Sequence, residues 1–143
     1  VAYATCKEEV ENILADFRNR DIPVAVINEH LQGDLVKFYG VHGTDFFYWF
    51  YPSPCSHSKF GLEKINGIAK GIPFSVEELK IQSDKAAEAL NVPIYGGDCV
   101  VSADGTLRII DFNDWPSFAR CREEAGGKIA ECIYNRAKKQ MKQ

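Results

Sequence analysis

The stretch IYGGDCVVSADGTLRIIDFNDWP, residues 94–116, decides how the main sheet of this chain is built. The apolar runs CVV and LRII flank SADGT, and Asp-Gly between two such runs is a strong signal for a β-hairpin. With Asp104 and Gly105 as the two central residues of the turn, Asp98 faces Asp111 directly across the ladder. Facing like charges destabilise a sheet, so we expect a positive group to neutralise this pair.

The polar residues of the hairpin are predicted to share one face. Asp111 and Asn113 point to the same side as Asp98, because side chains alternate along a strand with a period of two. Two carboxylates and an amide oxygen at one spot suit a hard divalent cation such as Mg²⁺, with Mn²⁺ as the alternative. A structural interpretation is equally open, because Asp and Asn are also common at strand ends and turns.

A second feature precedes the hairpin, in the segment INEHLQGDLVKFYGV, residues 27–41. A predicted strand leads into Glu29, and a Gly-containing turn then leads into a strand whose polar member is Lys37. If this segment is a hinge between two lobes, its backbone N–H and C=O groups suit the edge of an adenine ring. Asp34 then suits ribose hydroxyls and Lys37 a phosphate. A solvated hairpin end explains the same residues without a ligand.

Hydrophobic periodicity predicts the remaining elements. The apolar stripe of CKEEVENILADFRNR is typical of an amphipathic helix, and SVEELKIQSDKAAEAL predicts a helix with Ser75 as N-cap and Glu78 completing a capping box. We predict strands at VAYAT, IPVAVIN, LVKFYGV and DFFYWFYP, a loop over residues 52–74, and a closing helix at EEAGGKIAECIYNRAKKQ. This order predicts an α+β fold with a mainly antiparallel sheet flanked by helices.

Composition limits the classes of function. The 143 residues are 45% hydrophobic with a net charge of −3, which fits one globular domain and provides no positive footprint for nucleic acid. No apolar run approaches the roughly 20 residues that span a bilayer, so we expect neither a nucleic-acid nor a membrane partner. The five cysteines form no Cys-x-x-Cys pair, which indicates reduced thiols and a cytoplasmic protein.

The hinge-like segment and the hairpin together resemble the ATP-grasp superfamily. NEHLQGDLVKFYG is similar to the adenine-binding hinge of these enzymes, and GGDCVVSADGTLRIIDFNDWP to their metal-binding hairpin. That hairpin carries an acidic residue, then acidic-x-Asn, followed closely by Pro; here these are Asp98, Asp111, Asn113 and Pro116. The resemblance covers nearly the whole chain, with the Ser75 helix between the two motifs, and implies the larger, C-terminal ATP-grasp lobe.

The resemblance also implies which residues bind ATP and magnesium. The implied contacts to adenine, ribose and phosphate are made by Glu29, His30, Leu31, Asp34 and Lys37. The implied ligands of one or two Mg²⁺ ions between the ATP phosphates are Asp98, Asp111 and Asn113. Lys37 is also the implied catalytic residue, because the matching position touches phosphate or the acceptor substrate in many relatives.

The common reaction of this family activates a carboxylate by phosphorylation and lets an amine attack the acyl phosphate. The resemblance therefore implies an ATP- and Mg²⁺-dependent ligase acting on an unidentified small-molecule carboxylate and amine. Two alternatives stay open: an ATP-grasp kinase that phosphorylates a hydroxyl, as inositol-phosphate kinases do, and a noncatalytic module that keeps the fold but only binds a partner. A homodimer also stays open.

A departure from the family concerns the start of the chain. ATP-grasp enzymes normally carry a smaller lobe with lysines and a Gly-rich loop before the hinge, and residues 1–28 resemble only the tail of that lobe. Residues 29–143 then form the larger lobe with the nucleotide and Mg²⁺ site. We therefore expect a fragment of an enzyme that is inactive and binds ATP poorly alone. In the loop CSHSKFGLEKING, Lys59 is a candidate contact for the acceptor substrate.

Overall fold

The computed structural model describes residues 2–52 and 67–141. In chain order the elements of this part are α1 (Lys7–Asn19), β1 (Asp34–Val41), β2 (Phe47–Phe50), α2 (Val76–Leu90), β3 (Ile94–Val101), β4 (Leu107–Asp114) and α3 (Arg122–Gln140). The strands form one sheet in the order β2-β1-β3-β4, and every neighbouring pair is antiparallel. The predicted α+β class and the antiparallel sheet are therefore confirmed.

The two faces of the sheet pack against different helices. On one face, which we call the core face, Val36 and Tyr95 are fully buried in a cluster with Leu79 of α2. Val41 points to the opposite face, because side chains alternate along a strand, and it is buried in a second cluster with Cys132 of α3. We call this opposite face the open face, because polar side chains of β4 lie exposed on it.

Tyr95 joins the sheet to α2. Its ring lies over Gly40, where an added Cβ would come within 2.3 Å of the ring, and its hydroxyl donates to Asp84 Oδ1 at 2.8 Å. Burial, together with this carboxylate, raises the pKa of the Tyr95 hydroxyl. The fully buried ring therefore keeps a partner for its polar end, and only glycine leaves room for it at position 40.

The three predicted helices are confirmed, with ends close to the predicted ones. The Ser75 hydroxyl accepts from the backbone N–H of Glu78 at 3.1 Å, as an N-cap does. The Glu78 carboxylate accepts from Gln82 Nε2 instead of reaching back to the cap. Asn91 ends α2 in the left-handed conformation. Within the described residues, no helix is both long enough and apolar enough to cross a bilayer.

Two of the predicted strands are wrong. VAYAT, as far as it is described, and IPVAVIN form neither helix nor strand. Val24, Val26 and Ile27 are 76%, 81% and 68% exposed, although valine and isoleucine favour strands. A strand is stabilised by cross-strand pairing and by burial, and the described chain offers this segment neither. The predicted lobe boundary between residues 28 and 29 falls in this irregular segment and stays a prediction.

Candidate functional site

The hairpin brings Asp98 opposite Asp111, as the sequence predicts, but its turn differs from the predicted one. The N–H of Ser102 donates to the carbonyl of Thr106 at 2.9 Å, so the loop has three residues and not two. Gly105 has φ +81°, the left-handed conformation that such a loop needs at its last position. The predicted two-residue turn is therefore wrong.

A β-bulge in β4 restores the predicted pairing. Near the turn the strands follow the register that the three-residue loop sets, and Cys99 faces Ile109. The register then shifts by one residue so that Asp98 faces Asp111, with Ile110 as the extra residue. Without this bulge Asp111 would point to the core face, because a slip of one residue exchanges the two faces of a strand.

Gly97 makes room for the bulge. A Cβ added at Gly97 would lie 2.1 Å from the carbonyl oxygen of Asp111 and 2.8 Å from Phe38 Cζ. A side chain cannot be accommodated at these distances unless the backbone of β4 moves away, so the close approach of the two strands requires glycine. The placement of Asp111 therefore depends on Gly97.

Lys37, Asp98 and Asp111 lie side by side on three neighbouring strands of the open face, and we call them the charged row. Lys37 Nζ is 2.9 Å from Asp98 Oδ2 and 3.0 Å from Asp98 Oδ1. The Lys37 and Asp98 side chains are 27% and 22% exposed, so the pair is partly shielded from water. The positive group expected beside the two facing carboxylates is therefore present in the chain itself.

Asn113 completes the set of predicted metal ligands on the open face. Its Nδ2 donates to Asp111 Oδ2 at 2.6 Å, and both residues are exposed on β4. Asp98, on the neighbouring strand, points to the same side. The three residues that the sequence groups together are therefore brought together in the fold.

This set of donors suits a cation that takes its remaining ligands from a substrate. In residues 2–52 and 67–141, no three His, Cys, Asp or Glu side chains are grouped to hold a metal by themselves. Mg²⁺ is usually bound by one or two carboxylates, with waters and substrate phosphates completing its octahedron. Asp98 and Asp111 supply two carboxylates and Asn113 an amide oxygen, which fits such a partly filled coordination shell.

The segment predicted to bind adenine borders the same face of the sheet. Residues 28–31 line a surface cavity of about 590 Å³ together with Val100 and Ile110. Val100 is on the same side of β3 as Asp98, and Ile110 is the bulge residue next to Asp111. The predicted adenine site and the predicted metal site are therefore neighbours.

The three residues predicted to meet adenine differ in burial. Glu29 and His30 are exposed and Leu31 is half-buried, and none of them belongs to a helix or strand. The His30 ring packs edge-on against Tyr3, with the ring centroids 4.9 Å apart. This contact ties the start of the described chain to the segment.

Asp34 has a structural task that the sequence does not reveal. It is 4% exposed, and its Oδ1 and Oδ2 accept from the backbone N–H groups of Lys70 and Ile72 at 2.7 and 2.8 Å. These bonds tie the start of β1 to the segment that leads into α2. The geometry thus supports a structural role for Asp34, and its contact with ribose stays a prediction.

No sequence motif marks Arg120, although it lies near the charged row. Its guanidinium carbon is 4.3 Å from the centre of the Phe50 ring, and Phe50 is the β2 residue paired with Lys37. The chain reaches this position through a turn after β4 in which Trp115 and Phe118 have positive φ values of 43° and 49°. The predicted acceptor contact Lys59 lies outside the described residues.

The cysteines of the described chain form no disulfide. Cys6 is exposed, whereas Cys99, Cys121 and Cys132 are buried free thiols. Burial raises the pKa of the Cys99 thiol to about 11, so that thiol is inert near neutral pH.

No family model matches the chain. Neither a curated protein nor a solved structure matches it significantly. The ATP-grasp resemblance therefore depends on the two sequence motifs and their order along the chain, and it stays a prediction.

Proposed function

We propose that this chain is the nucleotide- and metal-binding part of an ATP-grasp-type, carboxylate–amine ligase. The observation that supports the proposal most is the β-bulge that turns Asp111 and Asn113 to the same face as Asp98. A regular ladder from the same turn would send the two β4 residues to the core face. Bulges next to polar clusters are a common means of re-aiming side chains at functional sites.

Each group at the open face then has a role. Asp98, Asp111 and Asn113 would hold Mg²⁺, and the ion would supply positive charge to the phosphates of ATP. Residues 29–31 meet the adenine ring, and the cavity that they share with the sheet supports this placement. Lys37 supplies a positive charge beside the phosphates.

The proposed substrates are a carboxylate and an amine. The carboxylate oxygen attacks the γ-phosphorus of ATP and ADP leaves; the amine nitrogen then attacks the acyl carbon and phosphate leaves. The cations Lys37 and Arg120 lie toward the β1–β2 side of the open face, and the carboxylates toward its β3–β4 side. Lys37 is paired with Asp98, whereas the Arg120 guanidinium over Phe50 offers a positive charge to an acceptor that itself carries negative charge.

The substitution Asp111→Asn tests the proposal, because it removes one charge and keeps the shape of the side chain. In the full-length protein we expect it to weaken Mg–ATP binding at least about tenfold, since the metal loses a negatively charged ligand, and to reduce carboxylate-dependent ATP turnover to background. Asp104→Asn is the matched control, an exposed carboxylate in the turn of the same hairpin. For both variants, calorimetric titration with Mg–ATP measures binding, and the release of ADP measures turnover. Binding and turnover equal to the parent's in Asp111→Asn would remove the metal role.

A noncatalytic binding module is the second candidate, and one observation favours it. The polar groups of the open face satisfy one another, with Lys37 on Asp98 and Asn113 on Asp111. A surface satisfied in this way is stable without a ligand. A folded full-length protein that takes up no Mg–ATP at millimolar concentration would favour the module over the enzyme.

A further inference from the structure

The Lys37–Asp98 ion pair occupies the position at which a metal ion would need Asp98. The Lys37 ammonium contacts both oxygens of this carboxylate, at 2.9 and 3.0 Å. About three quarters of each side chain is shielded from solvent, so water screens the pair less than it screens a surface salt bridge. The Lys37 ammonium and the proposed metal ion therefore compete for the same carboxylate.

The charged row explains why the internal cation is there. Asp98 lies between Lys37 on β1 and Asp111 on β4. Directly facing carboxylates repel each other, and the ammonium on the far side of Asp98 offsets this repulsion. A divalent cation held by the two carboxylates offsets it more fully, but it also repels the ammonium.

We propose that Lys37 is an exchangeable counterion of Asp98: it holds the acidic pair together when no metal is bound, and a divalent cation displaces it. This inference rests on the proposed metal site and adds a regulation of that site. The affinity for metal is lowered, because binding has to break the Lys37–Asp98 ion pair. The same ion pair stabilises the metal-free fold. On exchange the Lys37 ammonium loses its carboxylate and lies beside the new cation, where it suits an anionic ligand.

Lys37→Met tests the proposal, because methionine keeps much of the apolar stem and removes the charge. The matched control is Lys80→Met, since Lys80 pairs with Asp84 at 25% and 23% side-chain exposure, nearly the same as the Lys37 pair, but lies in α2. Lys37→Arg keeps a cation on Asp98 and serves as the conservative variant. Binding of Mn²⁺ in the absence of nucleotide is measured from the electron paramagnetic resonance signal of the free ion.

We expect Lys37→Met to bind Mn²⁺ at least about tenfold more tightly than the parent, because the competing charge is gone. Lys80→Met and Lys37→Arg should stay within about threefold of the parent. Without cation, the melting temperature of Lys37→Met should fall, and Mn²⁺ should raise it more than it raises that of the parent.

If Lys37→Met binds Mn²⁺ no more tightly than the parent does, the proposed displacement of Lys37 is wrong, but the metal site remains. If neither the parent nor Lys37→Met binds Mn²⁺ at millimolar concentration, the metal site and the proposed function both fall. If a variant does not fold, a measurement on the parent protein tests the proposal instead. Mg²⁺ should shift the side-chain ammonium ¹⁵N resonance of Lys37, and an unchanged resonance at saturating Mg²⁺ contradicts displacement.

Discussion

Two valines show how differently the two regions of this chain are built. Val36 in β1 is fully buried, whereas Val26, in the segment before it, is 81% exposed. In the described residues 2–33, which we call the N-terminal region, no residue is buried, while residues 34–52 and 67–141, the sheet region, contain both buried clusters. Valine favours a strand because it fits a pleated, half-buried surface, and it forms none where such a surface is lacking.

We expect the largest loss of stability from a substitution in the sheet region, where β3 and β4 lie close together. Gly97→Ala places a Cβ where Asp111 O and Phe38 already lie, so β4 must move away and the bulge is lost. We expect the free energy of unfolding to fall by about 3 kcal/mol or more, as in severe overpacking. Urea unfolding followed by circular dichroism measures the change.

Gly127→Ala is the control for this prediction. No atom lies within 4 Å of a Cβ added at Gly127 in α3, so alanine removes only the conformational cost of glycine in a helix. We expect stabilisation by about 0.5–1 kcal/mol. A Gly97→Ala protein as stable as the parent would show that the close strand contact does not determine the register.

The second prediction applies one substitution to both regions. Val36→Ala removes two methyl groups from the core and leaves a cavity, so unfolding should become easier by about 2–3 kcal/mol. Val26→Ala removes the same groups from an exposed site and should change stability by no more than about 0.5 kcal/mol. Equal losses in the two urea transitions would mean that the N-terminal region is covered in solution.

The third prediction compares two thiols. The pKa of Cys99 is raised by burial from 9.0 to about 11, so folding favours its protonated form. Its contribution is complete below pH 9 and is lost as the pH rises to 11, which amounts to about 2 kcal/mol between pH 8 and 11. Cys99→Ala should therefore lose about 2 kcal/mol less over this interval than the parent, measured by urea unfolding under reducing conditions.

The control for the thiol comparison lies in the N-terminal region. Cys6 is exposed, so Cys6→Ser should keep the full alkaline loss of stability seen in the parent. An alkaline loss that is identical in the parent and in Cys99→Ala would show that the Cys99 thiol is not sealed from water.

Much of this architecture follows from local signals. The helices follow from their apolar stripes and the Ser75 cap, and Asp98 faces Asp111 as predicted. That pairing was predicted from a two-residue turn, which is wrong. The bulge at Ile110 shifts the register by one residue, so that Asp98 still faces Asp111. The bulge needs the close approach of Gly97 to Asp111 and Phe38, and Phe38 lies on β1, outside the hairpin sequence.

The ion pair in the charged row could not be predicted from the sequence. Lys37 and Asp98 meet because β1 lies beside β3, and no local pattern states the order of strands in a sheet. Lys37 was therefore predicted to face a phosphate, and its contact with Asp98 was not foreseen. Likewise Asp34 resembles a ligand residue in sequence, although its bonds to residues 70 and 72 form only in the folded chain.

In the proposed metal site, Asp98, Asp111 and Asn113 of the bulged hairpin hold a divalent cation. The most direct test titrates Mn²⁺ into the ¹⁵N-labelled protein and follows the paramagnetic broadening of each backbone amide. We expect the amides of these three residues to broaden first, at substoichiometric Mn²⁺. Sharp resonances for these three amides, while the amides of exposed acids elsewhere such as Glu77 and Glu123 broaden, would contradict a metal site on the hairpin.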